Sequence, residues 1–230
     1  MIRVGHKGAD ALRPGNTAAS FDAALAAGVQ MIEFDVLSER VDGSGDLLVA
    51  HDYDHVSNAP ALAAALRHLA SDPFADLSFD VDLKLPGYEE RTVQALREVG
   101  LLERCLITSM YPESLRRVRE VEPGVRLGWS VPRLRRDYTT DLLTRVPVLA
   151  LAIGYRRALP ERAARMIERG RCEALMSHWR LITPRLVRAV QGAGGQLYAW
   201  TVDDAERIVE LERLGVDGVI TNDPRLFGPR

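Results

Sequence analysis

A (β/α)₈ barrel, folded as one domain over residues 1–230, is the architecture this sequence predicts, and three observations predict it. Short apolar or alternating segments recur between longer amphipathic ones, the βαβα rhythm of a parallel sheet covered by helices. Eight such strand segments are present, at 2–6, 31–36, 79–84, 105–109, 126–130, 173–177, 197–202 and 217–221, and eight is the number a closed barrel needs. Polar residues gather at the carboxyl ends of the first three, the end at which parallel barrels carry their sites.

The helices between these strands have readable ends. Thr17 or Asn16 caps 18–27 before Gly28, and the Ala-rich stretch from Asp52 to Ser78 holds a helix near 60–70. Thr183 and Pro184 supply the cap and first-turn residue of 184–193. Asp203 starts 204–214, where Ala205, Ile208, Val209 and Leu211 form the inward stripe and Gly215 stops the helix. The run Val148–Ile153 fits either a ninth strand or a helix by periodicity. Leucine and alanine outnumber β-branched residues there, so 148–168 is read as helical and broken near Gly154 and Pro160. An open doubly wound sheet is the competing topology.

Composition narrows the partners. With 47% apolar and 27% charged residues the chain has ordinary globular content and enough length to bury a core. Thirty basic residues against thirty-two acidic ones leave a net charge of -2, which provides no global field to recruit nucleic acid or an anionic membrane. Recognition of a phosphate must therefore be local. Arginines such as Arg116, Arg117 and Arg119 read as a solvated helix face. Cys105 and Cys172, each in an apolar segment, read as buried small hydrophobes. The opening MIRVGHKGAD enters a strand at once, and no apolar run reaches membrane-spanning length, so a cytoplasmic location without stable membrane insertion is expected. Nothing in the sequence speaks to oligomeric state.

The chemistry concentrates at three strand ends. The first delivers Gly5-His6-Lys7-Gly8 and the second Glu33-Phe34-Asp35, where alternation puts Glu33 and Asp35 on one face. The third delivers Asp80-Val81-Asp82-Leu83-Lys84, again with its charges on one side. Charges on a strand packed on both faces are costly unless paired or bound to an ion. Salt bridges with Lys84, Lys7 and arginines would meet that demand, and so would a divalent cation between Glu33 and Asp35. Oxygen ligands of this kind suit Mg²⁺, Ca²⁺ or Mn²⁺ and not zinc. His51, after the short strand-like Leu47-Leu48-Val49-Ala50, can fold back beside these acids. With His6 it would give a proton acceptor and a proton donor, the demand of phosphodiester cleavage.

His6-Lys7-Gly8, Pro14-Gly15-Asn16-Thr17, Ile32-Glu33-Phe34-Asp35-Val36, His51-Asp52, Asp82-Leu83-Lys84, Trp200-Thr201-Val202 and the stretch from Asp217 to Pro224 occur in this order across nearly the whole chain. Together they resemble the successive motifs of the glycerophosphodiester phosphodiesterases. The resemblance implies a TIM barrel and metal-dependent release of glycerol phosphate and an alcohol from a small glycerophosphodiester. By motif it makes His6 and His51 the acid/base pair and Glu33, Asp35 and Asp82 the ligands of a divalent metal. It gives Lys84 a phosphate oxygen or the orientation of the ligands, and Asn16 the positioning of substrate or first loop. Lys7 and Trp200 are further substrate-contact candidates. Three positions depart from the family pattern: Lys7 stands for arginine and offers a point charge in place of a bidentate fork, Gly15 stands for glutamate, and Asp82 for a glutamate one methylene longer. Tyr53, Trp129, His178 and Trp179 could line the mouth with Trp200, although core packing is the better expectation for all but Trp200. Rival readings are a lysophospholipase D-like activity and a barrel that binds phosphodiesters without turning them over.

Overall fold

The computed structural model describes residues 1–133 and 145–228, with the backbone alone for 145–153. In chain order the strands are β1 (Ile2–Gly5), β2 (Met31–Ser38), β3 (Leu47–Leu48), β4 (Ser78–Leu83), β5 (Cys105–Ser109), β6 (Arg126–Val131), β7 (Ala174–His178), β8 (Gln196–Trp200) and β9 (Gly218–Thr221). The α-helices among the described residues are α1 (Ala18–Ala26), α2 (Leu62–Leu69), α3 (Glu89–Glu98), α4 (Pro112–Val121), α5 (Arg145–Glu168), α6 (Pro184–Gly192) and α7 (Ala205–Leu214).

Eight of these strands pair in parallel in the order β1-β9-β8-β7-β6-β5-β4-β2, and the sheet closes because β1 pairs with β2 as well as with β9. Val4 opposes Met31 on one side of β1 and Ile220 on the other. Closure excludes the open doubly wound sheet and confirms the barrel. The short β3 is antiparallel to the end of β2, with Leu48 opposite Leu37, and this hairpin carries the chain back over the carboxyl end of the barrel.

Alternation divides the strand residues into two sets. Val4, Met31, Leu106, Ala174, Met176, Tyr198 and Ile220 form one buried cluster, packed within the barrel. The intervening residues, such as Ile32, Phe34, Phe79, Val81, Ile107 and Leu197, join the larger cluster under the helices. The inner set is apolar at the amino end and polar toward the carboxyl end, which is where a site can form without exposing the core.

Several local details differ from the sequence expectation. Asp204, not Asp203, caps α7 by accepting the Arg207 N–H at 2.7 Å. The inward stripe of α7 is Ile208 and Leu211, whereas Ala205 and Val209 are exposed. Gly215 closes α7 with φ 92°, as a left-handed C-cap requires. The 148–168 segment is helical as read, but α5 runs unbroken through Gly154 and Pro160 for 24 residues. The side chains of Val148–Ile153 lie outside the described residues. Both cysteines are buried and free, and burial pushes each thiol up to about 12.

Candidate active site

The register between β2 and β4 sets Glu33 opposite Asp80 and Asp35 opposite Asp82, so two strands present four carboxylates inside the barrel. All four side chains are buried, and one ligand atom from each of Glu33, Asp35 and Asp82 lies within 4.8 Å of the others. Such a set of hard oxygen donors fits a divalent cation of the Mg²⁺, Ca²⁺ or Mn²⁺ kind.

Lys84, just past β4, lies between two of these acids, with its Nζ 2.5 Å from Asp35 Oδ1 and 2.7 Å from Asp82 Oδ2. Burial alone would raise the Asp35 pKa, but the Lys84 ammonium, His51 and His6 overcome it and hold the carboxyl well below its usual range. Glu33 goes the other way: burial, then the neighbouring Asp35 charge, pushes its carboxyl well up. Burial likewise pushes Asp80 up to about 8, against the hydrogen bond it accepts at 2.7 Å from Thr108 Oγ1. A single lysine therefore does not balance this acidic group, and a bound cation would relieve the repulsion that remains.

The loop after β1 fixes the first histidine. Gly8 has φ 84°, and a Cβ there would stand 2.6 Å from the Ser20 backbone, so only glycine lets the loop lie on α1. The His6 N–H donates to Thr221 O at 2.8 Å, its Nδ1 lies 2.6 Å from Asn222 Oδ1, and its Nε2 is 3.8 Å from Glu33 Oε2. Burial lowers the pKa of this imidazole. His51 arrives from the other side through the β3 hairpin. It is half-exposed, with Nδ1 3.1 Å from Asp52 Oδ2, and the same carboxylate holds His55 Nδ1 at 2.5 Å.

A cavity of about 150 Å³ joins these groups. It is lined by His6, Glu33, His51, Asp80, Asp82, Lys84, Thr108, Met110, Ser130, Met176, Trp200, Thr201 and Ile220. His6, His51, Glu33, Asp82, Lys84 and Trp200 are thus brought together, with Asp35 buried just beneath. Trp200 lines this cavity, and its indole N–H is buried with no hydrogen-bond partner among the described residues.

Lys7 and Asn16, read from sequence as substrate contacts, are placed differently. Both have left-handed backbone, φ 49° and 60°, and neither lines the cavity. Lys7 turns its ammonium toward Asp10, 3.9 Å away, and gives its backbone N–H to Glu33 Oε2 at 2.7 Å. Asn16 clamps Asp35: its Nδ2 donates to Asp35 Oδ2 at 2.8 Å and its Oδ1 accepts the Asp35 N–H at 3.2 Å. A Cβ at Gly15 would already meet Asp10 Oδ1 at 2.6 Å, so Asp10 fills the space beside this glycine and takes its N–H at 2.8 Å.

Of the other aromatics, Trp129 is in the core beneath Arg162, and Trp179 packs between Arg180 and Arg207 outside the cavity. His178 bridges Trp179 and Trp200 by ring contacts of 5.8 and 5.3 Å. Tyr53 is half-buried, its hydroxyl without a hydrogen-bond partner among the described residues, and it does not line the cavity. The sequence reading missed Thr108, Ser130 and Met176 as lining residues, and it gave Asn222 no task. Alternation from Leu106, Gly128 and Ala174 would have placed the first three on the inner face, whereas Asn222 lies just past β9.

No helix of the described residues is long and apolar enough to cross a membrane. Among solved structures, a glycerophosphodiester phosphodiesterase from Parabacteroides distasonis superposes with a TM-score of 0.71 at 18% identity, covering 97% of this chain and 93% of its own. A phosphodiesterase from Oleispira antarctica, solved in complex with the product sn-glycerol-3-phosphate, gives 0.68 at 19% identity over 98% and 94%. In sequence, a glycerophosphodiester phosphodiesterase of Caldanaerobacter subterraneus subsp. tengcongensis is 26% identical over 96% of this chain and 93% of its own length. Residues 6–99 and 80–226 match the glycerophosphoryl diester phosphodiesterase family, a span from the first histidine past the last strand, and the chain belongs to that family.

Proposed function

We propose that this protein hydrolyses a small, water-soluble glycerophosphodiester to glycerol phosphate and an alcohol. Its ligands for a divalent cation are Glu33, Asp35 and Asp82, and its proton-transfer pair is His6 and His51. The observation that carries the reading is that, of three carboxylates within 4.8 Å of one another, Glu33 and Asp82 line one cavity with both imidazoles and a lysine, while the third, Asp35, is held by that same lysine.

What a bound divalent cation supplies is polarisation of the phosphoryl oxygens and neutralisation of the charge that develops on them. The chain does the rest. Lys84 offers an ammonium to a phosphate oxygen and, through Asp35 and Asp82, fixes the ligands. Asn16 and the Lys7 N–H hold Asp35 and Glu33 in place. Trp200 supplies an aromatic wall of the cavity against which the substrate would rest. One imidazole removes a proton from the attacking hydroxyl, of water or of the substrate's own glycerol, and the other protonates the departing alkoxide.

A metal-by-substrate matrix tests this reading. Purified protein stripped of metal is assayed with glycerophosphocholine, glycerophosphoethanolamine and a lysophospholipid in micelles, each with Mg²⁺, Ca²⁺ or Mn²⁺. The expected result is release of glycerol phosphate from the soluble diesters in the presence of at least one cation. Binding of the diesters with no turnover under any cation overturns it.

A further inference from the structure

We propose that Asp203 and Asn222 are positioning residues that lock His6 into one imidazole tautomer, an inference that rests on His6 taking part in diester hydrolysis. Asp203 follows β8 and Asn222 follows β9, so two neighbouring strand ends bring them together beside the end of β1.

The orientation of each group follows from donor and acceptor counting. Asp203 Oδ1 accepts the Asn222 backbone N–H at 2.8 Å and the Thr221 hydroxyl at 3.0 Å, and its Oδ2 accepts Asn222 Nδ2 at 2.6 Å. A carboxylate only accepts, so it is the amide NH₂ of Asn222 that faces Asp203 and the amide oxygen that faces His6. That oxygen lies 2.6 Å from His6 Nδ1 and can itself only accept, so Nδ1 carries the ring proton. A neutral imidazole has one N–H; Nε2 is therefore bare and presents a proton acceptor toward Glu33 and the cavity. The same segment also takes the His6 backbone N–H through Thr221 O at 2.8 Å, which fixes the ring's pivot as well as its tautomer. Asp203 is not among the residues that line the cavity, and its side chain bonds to Thr221 and Asn222, so its influence on the reaction runs through Asn222.

The substitution Asp203→Asn isolates this effect. The new amide at position 203 keeps an oxygen for the Asn222 N–H and the Thr221 hydroxyl, but it sets its NH₂ against that of Asn222. The Asn222 amide then turns over, its NH₂ meets Nδ1, and the ring proton moves to Nε2. A histidine held in the wrong tautomer costs up to about 10⁴-fold in kcat, and the general range for acid–base catalysis is about 10²–10⁴-fold. We expect a loss in that range on glycerophosphocholine, with KM nearly unchanged. Asp203→Asn combined with Asn222→Asp restores the polarity of the chain of hydrogen bonds, because the amide at 203 then donates to a carboxylate that accepts from Nδ1. It should recover most of the lost kcat. Asp204→Asn, which alters the neighbouring helix cap only, should leave kcat unchanged. The ¹⁵N shifts of the His6 ring, assigned by their loss in His6→Gln, should report Nδ1–H in the wild type and Nε2–H in Asp203→Asn.

A wild-type ring protonated at Nε2, or Asp203→Asn with near wild-type kcat, overturns the proposal. So does a loss in Asp203→Asn that leaves the tautomer unchanged and is not recovered by the double substitution, which would mark Asp203 as a loop tie. Failure of the underlying reading looks different: wild-type protein without turnover, or His6→Ala with undiminished kcat, while the ring shifts still report the tautomer.

Discussion

Removing the Asn16 side chain should destabilise the protein in two separable ways. Asn16→Ala deletes the bond from Nδ2 to the buried Asp35 carboxylate, worth about 1.5–3 kcal/mol as a bond to a charged group. It also strands the Asp35 backbone N–H, at roughly another 1 kcal/mol. Because φ here is 60°, the alanine additionally sits in left-handed backbone, at a further cost of about 1 kcal/mol. The total is about 3.5–5 kcal/mol. Asn16→Gly loses the same two bonds without the backbone strain, so it should be more stable than Asn16→Ala by about 1 kcal/mol. Urea unfolding of metal-free protein, followed by circular dichroism and tryptophan fluorescence, measures both differences if the two transitions coincide. A loss below about 1 kcal/mol in both variants would refute the clamp, since a single exposed bond is worth that much. Equal stability of the two variants would refute the strain.

The remaining predictions concern the carboxylates and the cation. Chelation should abolish turnover and Mg²⁺, Ca²⁺ or Mn²⁺ restore it, and undiminished activity in stripped protein would contradict the ligand set. Glu33→Gln should mimic chelation while leaving the metal-free fold intact or more stable in urea, because it removes a buried carboxyl that the Asp35 charge opposes. Asp80 titrates near 8 in the fold against 3.8 for the ordinary carboxyl, so between those values the folded state binds more protons than the unfolded one. Its contribution to metal-free stability should therefore fall as pH rises across that window, by at most about 1.4 kcal/mol per pH unit. Asp80→Asn, which keeps an acceptor for Thr108, should flatten that slope, and an unchanged slope would contradict the assignment.

Much of this site was legible in the sequence because strand alternation is rigid: once Glu33 and Asp35 lie on a strand, they share its inner face, and Asp80 and Asp82 do likewise. His51 was legible through Leu47-Leu48, whose antiparallel pairing with β2 returns the chain to the site. Loop conformation was the less legible part. Lys7 and Asn16 look like substrate contacts as residue types, yet left-handed backbone at both positions aims one at Asp10 and the other at Asp35. The choice between Asp203 and Asp204 as the cap of α7 turned on one residue of chain direction, and the residue not used as a cap is the one that reaches Asn222. Gly15 illustrates a substitution that only packing explains, since the carboxylate of Asp10 occupies the space a side chain there would need.

The histidine pair gives the most direct test of the central claim. His6→Ala and His51→Ala are compared with wild type on glycerophosphocholine and on an aryl diester whose leaving group needs no protonation. Each should lose about 10²–10⁴-fold in kcat on the natural substrate, with the double variant losing far less than the product because the two act as a unit. With His6 presenting a bare Nε2, the aryl substrate should rescue His51→Ala and leave His6→Ala impaired. Near wild-type kcat for both single variants on glycerophosphocholine would make these structural histidines and contradict the account.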